Sequence, residues 1–333
     1  MTNTDTPPTV LLTDRAWPDD SIERGVLEAA GFTVVAGPAE AADTATIEDL
    51  VARHEPAAIL TCWAPVSATA IASSPRLRIV ARMGVGLDNI AVDAATERGV
   101  RVTNVPDYCV EEVSDHAVGL VLAWTRGLVA ADREVRAGTW APAGARLRRL
   151  ATLTCGVVGF GRIGRASALK LRALGARVQA STPYPPDDTD GIALVPLDEL
   201  LATSDVVVLH APLTEQTHHL IGTRELALMR EGALLVNVSR GGLVDTAALV
   251  AALQSGHLGG AGLDVLEEEP TVAPELLAHP AVVLTPHIAF SSDASVAQLR
   301  RSAAEEVVRA LRGDPVRYPC NHPNSRPSIS TNR

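Results

Sequence analysis

Short apolar runs alternate with amphipathic stretches from the start of the chain. TVLLT (9–13), TVVA (33–36), AAILT (57–61), RIVA (78–81) and VRVTN (100–104) read as strands. Such runs, separated by helical patterns, predict a mostly parallel sheet covered by helices. Gly31, after SIERGVLEAA, and Gly99, after AATERG, stand where a helix that stops in the left-handed conformation needs a residue without a Cβ. They punctuate a first βα domain.

Over 111–137 the pattern becomes that of one long helix, with Val113, Ala117, Leu120, Val121, Trp124 and Leu128 at three- and four-residue spacing, crossing between two domains. A second set of strands follows at LTCGVV (153–158), RVQA (177–180), VVVLH (206–210), ALLVNV (233–238), GAGLDV (260–265) and VVLT (282–285). Their near-continuous apolar character implies cover on both faces. A last amphipathic helix over 292–311, with Val296, Leu299, Ala303, Val307 and Leu311 on one face, returns to the first domain. The segment 322–333, dominated by Pro, Ser and Asn, reads as a disordered tail.

Composition supports an α/β fold. The 333 residues suit two cores of roughly 150 residues each, which invites a cleft between them. Aromatics are only 3%, and Ala, Val and Leu carry the apolar share, as helices on buried parallel strands require. A formal net charge of −10 and the absence of a basic stripe argue against nucleic acid. The cluster Arg146, Arg148, Arg149 reads as a solvated connector. Cys62, Cys109, Cys155 and Cys320 form no CxxC or Cys/His pattern, so no metal site or disulfide framework is marked. The polar N-terminus carries no signal pattern, and no stretch is long and apolar enough to span a bilayer, which gives a cytoplasmic expectation.

The first chemical feature is GFGRIG (159–164), directly after a strand and before a helix that ends at Gly175. In that context Gly159 permits the tight turn, Gly161 lets backbone approach a pyrophosphate, and Gly164 lets helix pack on strand. The helix N-terminus then offers N–H groups to phosphates. A NAD site expects an acidic residue about 20 residues on, to hold the adenosine ribose hydroxyls. Thr182 stands there instead, which removes a repulsion against a 2′-phosphate and opens the site to NADP. No Arg neighbours Thr182, and Asp187 and Asp188 follow closely, so the choice of cofactor stays open.

Three later strand ends carry the second feature. NVSRGGLVD (237–245) sets Arg240 at the carboxyl end of a buried strand, where its guanidinium can hold a carboxylate with two hydrogen bonds and polarise an adjacent carbonyl. GLDVLEEEP (262–270) offers Glu269 just before Pro270, and TPHIAF (285–290) offers His287 after Pro286. Histidine titrates near neutrality and can give a proton to a carbonyl oxygen and take it back. A Glu against its other nitrogen would raise the imidazole pKa and fix the tautomer.

Taken with RMGVGLDNI, NVPDYCVEEVSDHA and HAPLTEQTHHLIG, these segments make the chain resemble the D-isomer-specific 2-hydroxyacid dehydrogenase family over roughly 9–321. It is especially similar to the branch of the C-terminal-binding-protein corepressors and of the catalytic part of 3-phosphoglycerate dehydrogenase. The resemblance implies two doubly wound parallel-sheet domains, a Rossmann nucleotide-binding domain (105–287) inserted in a flavodoxin-like substrate domain (1–104 and 288–321). It implies that Arg240 binds the substrate carboxylate and carbonyl, with His287 as acid/base paired with Glu269. Arg162 and Ile163 would lie on the pyrophosphate, Thr182 near the adenosine ribose, His210 and Pro212 along the adenine, and Val238 and Asp264 near the nicotinamide. Trp63, in the segment 63–65, and the loop Gly84, Val85, Gly86 would contact substrate. The partner is a small 2-oxo or 2-hydroxy acid, and the family implies a homodimer through the nucleotide domain, with the 111–137 helix and Trp124 partly in the interface.

Departures qualify the resemblance. Besides Thr182, Phe290, Ser291 and Ser292 stand where the closest branch often has a Trp, so the pocket wall is altered. No regulatory domain follows Asn321, and serine-feedback control is not expected. Two other readings use the same fold: a nicotinamide-sensing binding protein like the corepressors, and a formate or phosphite dehydrogenase. The full Arg, Glu, His set opposes the first; formate enzymes of the family lack this Glu, and nothing in the sequence selects phosphite.

Overall fold

The apolar runs pair in parallel, each with both faces covered, and the computed structural model describes them over residues 7–142 and 147–323. Arg146 of the basic cluster, the start of the N-terminal segment (1–6) and most of the expected tail (324–333) lie outside the described residues. The chain divides into two compact units, Met1–Tyr108 with Ser292–Arg333, and Cys109–Ser291.

The first unit holds β1 (Thr9–Leu12), β2 (Thr33–Ala36), β3 (Ala58–Thr61), β4 (Ile79–Arg82) and β5 (Arg101–Thr103) in the order β2-β1-β3-β4-β5. All pairs are parallel, with Val10 opposite Ala58 and Ala58 opposite Ile79. This is the flavodoxin-like order. Leu11, Ile59, Val80 and Val102 pack with Ile47 and Val51 of α2 (Thr44–His54). Gly31 takes φ +90 just after α1 (Ser21–Ala29), the left-handed stop its place in the pattern calls for. The closing helix, α12 (Asp293–Arg312), is started by the Ser292 hydroxyl accepting the Ser295 N–H. It is fastened to α1 by a buried cation: Arg300 lies over the Trp17 ring and donates to both oxygens of Glu23, which also accepts the Trp17 indole N–H at 3.0 Å.

In the second unit, β6 (Thr154–Val158), β7 (Arg177–Ser181), β8 (Ala193–Leu194), β9 (Val206–Leu209), β10 (Ala233–Asn237), β11 (Leu258–Leu263) and β12 (Val282–Leu284) form one parallel sheet. Its order is β12-β11-β10-β9-β6-β7-β8. The order reverses at β6, so the crevice beyond the ends of β6 and β9 is the switch point where open α/β sheets bind ligands. Because every strand runs the same way, the loops that follow them gather on one edge. Among the described residues, no helix is long and apolar enough to cross a membrane.

Two expectations are corrected. The long helix over 111–137 is two: α5 (Val110–Thr125) and α6 (Leu128–Arg136), separated at Gly127, whose φ of +61 interrupts the helical backbone. Within its own unit, Trp124 of α5 is anchored to β11. Its indole N–H donates to the Gly259 carbonyl at 3.1 Å, and a Cβ on Gly260 would stand 2.6 Å from that nitrogen, so the glycines of β11 make room for the ring. Arg148 is not a merely solvated connector either, since its guanidinium lies 4.2 Å over the same ring.

Candidate functional site

The glycine loop is explained by what surrounds it. Gly159 has φ +92, and a Cβ there would come within 2.6 Å of the His210 carbonyl group. A Cβ on Gly164, in the first turn of α7 (Arg162–Ala173), would collide with the Gly159 carbonyl oxygen. A Cβ on Gly161 would meet nothing in the chain, so no internal contact demands glycine at that position. No side chain caps α7, whose first N–H groups follow Gly161 directly. Arg162 is exposed and Ile163 half-buried on this first turn.

His210, just after β9, flanks this loop. Its Nε2 is shut off from solvent and has no hydrogen-bond partner among the described residues, and burial pushes the imidazole down to about 4. An orphaned buried ring nitrogen beside a glycine turn and an uncapped helix is what a bound dinucleotide would complete, and the residues fit that group. Pro212 follows, its carbonyl accepting the Thr217 hydroxyl at 2.7 Å. The lowered pKa has a sign that can be checked. Below the ordinary value of 6.5 the unfolded chain takes up a proton that the folded imidazole refuses, so stability is full above that pH and falls as pH approaches 4. The gap is worth roughly 3 kcal/mol at most. Denaturant unfolding of His210→Asn is expected to show a shallower loss between pH 6.5 and 4 than the parent protein; an identical slope would refute the assignment.

Thr182 directly follows β7, and its hydroxyl accepts the Tyr184 N–H at 3.2 Å. Farther along the same loop, Asp188 is paired: Arg165 of α7 stands 3.3 Å from it and also pairs with Asp190. Sequence proximity concealed this arginine, which reaches the loop from the preceding helix.

Arg240, Glu269 and His287 follow β10, β11 and β12, three adjoining strands. After β10, buried Val238 leads to Arg240, whose carbonyl accepts the Asn237 side-chain N–H at 2.8 Å and whose guanidinium donates to the Ser239 carbonyl at 2.8 Å. A Cβ on Gly241 would overlap the Leu266 carbonyl, so this glycine is what lets the Arg240 loop lie against the loop after β11. Within that second loop, Glu269 Oε1 accepts the Leu266 N–H at 3.0 Å and Oε2 stands 2.8 Å from His287 Nδ1. Partial burial pulls the Glu269 carboxyl upward. The His287 hydrogen bond and charge, the Leu266 N–H and the Arg240 charge outweigh it and hold it below the usual carboxylate range.

His287 itself takes φ +53, a left-handed conformation uncommon outside glycine. Its turn is held by Asp264, buried at the end of β11. The Asp264 carbonyl accepts the His287 N–H at 2.8 Å, and its carboxylate accepts Ile288 N–H at 3.0 Å, Ala289 N–H at 2.8 Å and the Thr285 hydroxyl at 2.5 Å. His116 of α5 adds a 2.9 Å hydrogen bond to that hydroxyl. Phe290 meets the His287 ring edge-on with centroids 6.3 Å apart. His116 and Thr285 were not singled out by sequence, since nothing short of the fold brings α5 beside the end of β12.

In the first unit, the segment 63–65 and the loop Gly84, Val85, Gly86 follow the adjacent strands β3 and β4. Asp14, after β1, accepts the N–H groups of Cys62, Trp63 and Ala64 at 3.0, 2.6 and 3.1 Å, and so fixes the turn. Buried Arg82 lies 5.5 Å over the Trp63 ring and donates to Asn89 at 3.1 Å. A Cβ on Gly84 would come within 2.6 Å of that guanidinium. Asn104 in turn holds the Val85 carbonyl at 2.7 Å. Neither Asp14 nor Arg82 stood out in the sequence, because their partners are distant in the chain or in a backbone no pattern displays.

A doubly wound sheet with a glycine turn at its switch point, and an Arg, Glu and His gathered beyond three adjoining strand ends, define a dinucleotide-dependent enzyme module. Residues 118–289 match the model of the NAD-binding domain of D-isomer-specific 2-hydroxyacid dehydrogenases. A glyoxylate reductase of Korarchaeum cryptofilum is 42% identical over 259 residues, 75% of this chain and 78% of its own. The D-3-phosphoglycerate dehydrogenase of Mycobacterium tuberculosis is 43% identical over 252 residues, 75% of this chain but only 48% of its own. Among solved structures, an NADPH-dependent glyoxylate/hydroxypyruvate reductase of Sinorhizobium meliloti, in complex with NADP and malonate, superposes with a TM-score of 0.85 at 33% identity, covering 97% of this chain and all of that one. The chain belongs to the D-isomer-specific 2-hydroxyacid dehydrogenase family and is an NAD(P)-dependent oxidoreductase.

Proposed function

We propose that this protein interconverts a small 2-oxo acid and the corresponding D-2-hydroxy acid. The reading is carried by the 2.8 Å contact of His287 Nδ1 with Glu269, whose carboxylate also feels the Arg240 charge. NAD(H) or NADP(H), when bound, supplies or accepts the hydride. Gly159, Gly161, Arg162, Ile163 and Gly164 hold its pyrophosphate, Thr182 its adenosine ribose, His210 and Pro212 its adenine, and Val238 and Asp264 its nicotinamide end. Arg240 binds the substrate carboxylate and polarises the neighbouring carbonyl. With Nδ1 committed to Glu269, the proton passes between His287 Nε2 and the substrate oxygen, and the carboxylate stabilises the imidazolium state and fixes the tautomer. In the first unit the same reading gives Trp63 and the Gly84, Val85, Gly86 loop contact with substrate, their turns held by Asp14 and Arg82.

Glyoxylate and hydroxypyruvate are the first substrates to test, since relatives named for them match this chain over most of its length. The neutral Thr182, with Arg165 pairing Asp188 at 3.3 Å, leaves both NAD(H) and NADP(H) to be tested. We further propose a homodimer and a cytoplasmic location. The dimer is supported by α6, none of whose residues is buried although Leu128 and Val135 lie on it. The function is tested by following cofactor oxidation with NADH and NADPH against glyoxylate, hydroxypyruvate, pyruvate and phenylpyruvate. Turnover of at least one pair is expected, and none with any pair would remove the assignment.

A further inference from the structure

His218, His219 and Glu267 form a second group of chemically capable side chains that the proposed reaction does not use. Successive residues of an extended segment point to opposite sides. Here His219 takes φ +51, and the two imidazoles lie stacked, centroids 4.0 Å apart and planes 28° from parallel. The backbone of this turn is anchored by the His219 N–H, which donates to the Gly242 carbonyl at 2.8 Å. From the turn after β11, Glu267 places Oε1 2.5 Å from His219 Nε2, and its other oxygen accepts the Thr246 N–H at 3.1 Å. One donor atom from each of the three residues lies within 4.8 Å of the others. His218 is exposed, and its ring makes no hydrogen bond to any described residue.

We propose that His218, His219 and Glu267 bind a divalent transition-metal ion of the zinc, cobalt or nickel type. Two imidazoles and one carboxylate suit these borderline ions and not magnesium or calcium, which take oxygen ligands. With bonds of about 2.0–2.2 Å in a tetrahedral site, donor atoms stand about 3.3 Å apart. The His219–Glu267 pair therefore opens by less than about 1 Å, and the exposed His218 ring turns inward to close the site. The Thr246 N–H already orients the Glu267 carboxylate, as an outer hydrogen-bond partner does for a metal ligand. Water takes the fourth position. A bound ion fastens the segment after β9 to the turn after β11, and so restrains the loop that carries Glu269 two residues on. The site stands whether or not the dehydrogenase reading does.

The test uses the full-length protein, stripped of metal and of any affinity tag, titrated with zinc chloride and with cobalt chloride. One equivalent is expected to bind, with the visible absorption of four-coordinate cobalt and a raised unfolding midpoint in excess ion. His218→Ala, which removes an exposed ring, and Glu267→Gln, which keeps the side-chain shape, are each expected to weaken binding at least tenfold. His54→Ala, on α2, is expected to leave it unchanged. No stoichiometric binding by the parent protein would overturn the proposal, as would unchanged affinity in the His218→Ala protein, whose fold is checked by its metal-free unfolding midpoint.

Discussion

Replacing His287 with alanine is expected to lower kcat for 2-oxo acid reduction by about two to four orders of magnitude, with KM changed only a few-fold. Asp264 holds the turn that keeps His287 at φ +53, and Glu269 holds Nδ1 at 2.8 Å, so the proposed proton transfer falls to Nε2. Alanine removes that transfer and leaves Arg240 in place to bind the carboxylate. A group used only as the proton moves affects kcat, while one that binds substrate throughout affects KM. A kcat within tenfold of the parent would show that His287 is not the acid/base.

The second large effect falls on Arg240. Arg240→Ala is expected to lower kcat/KM by about a thousandfold or more, because two charge-assisted hydrogen bonds are each worth about 1.5–3 kcal/mol. Its backbone is pinned by Asn237, and the bare Cα of Gly241 sets it against the Leu266 backbone, so the guanidinium is delivered on a rigid loop. Arg240→Lys restores the charge without the planar fork and is expected to recover only a small part of the loss. Kinetics and cofactor binding measured on both variants separate the outcomes. Cofactor affinity should hold while KM for the 2-oxo acid rises, and full rescue by lysine would show that charge alone is needed.

The sequence displayed the sheet well, because buried parallel strands write themselves as continuous apolar runs bounded by glycines. It displayed the helix over 111–137 poorly. Gly127 falls inside an unbroken three- and four-residue spacing, and periodicity continues across a break that only its φ of +61 reveals. The two-residue edge strand β8 is too short to leave a pattern. The placement of Arg240, Glu269 and His287 after adjoining strands was legible because polar residues at the ends of apolar strands are conspicuous. Asp14 was not, since the backbone N–H groups it holds lie 48 to 50 residues away. Gly241 likewise reads as loop until the Leu266 backbone is seen beside it, and Asp264, placed in a strand near the nicotinamide, does not show its hold on the His287 turn until those bonds are drawn.

The configuration and labelling of the product report directly on hydride transfer to the D-acid. With hydroxypyruvate, and a reduced cofactor carrying two deuterium atoms at nicotinamide C4, the product is expected to be the D-2-hydroxy acid with deuterium at C2. Formation of the L-acid, or cofactor oxidation without label at C2, would contradict the account.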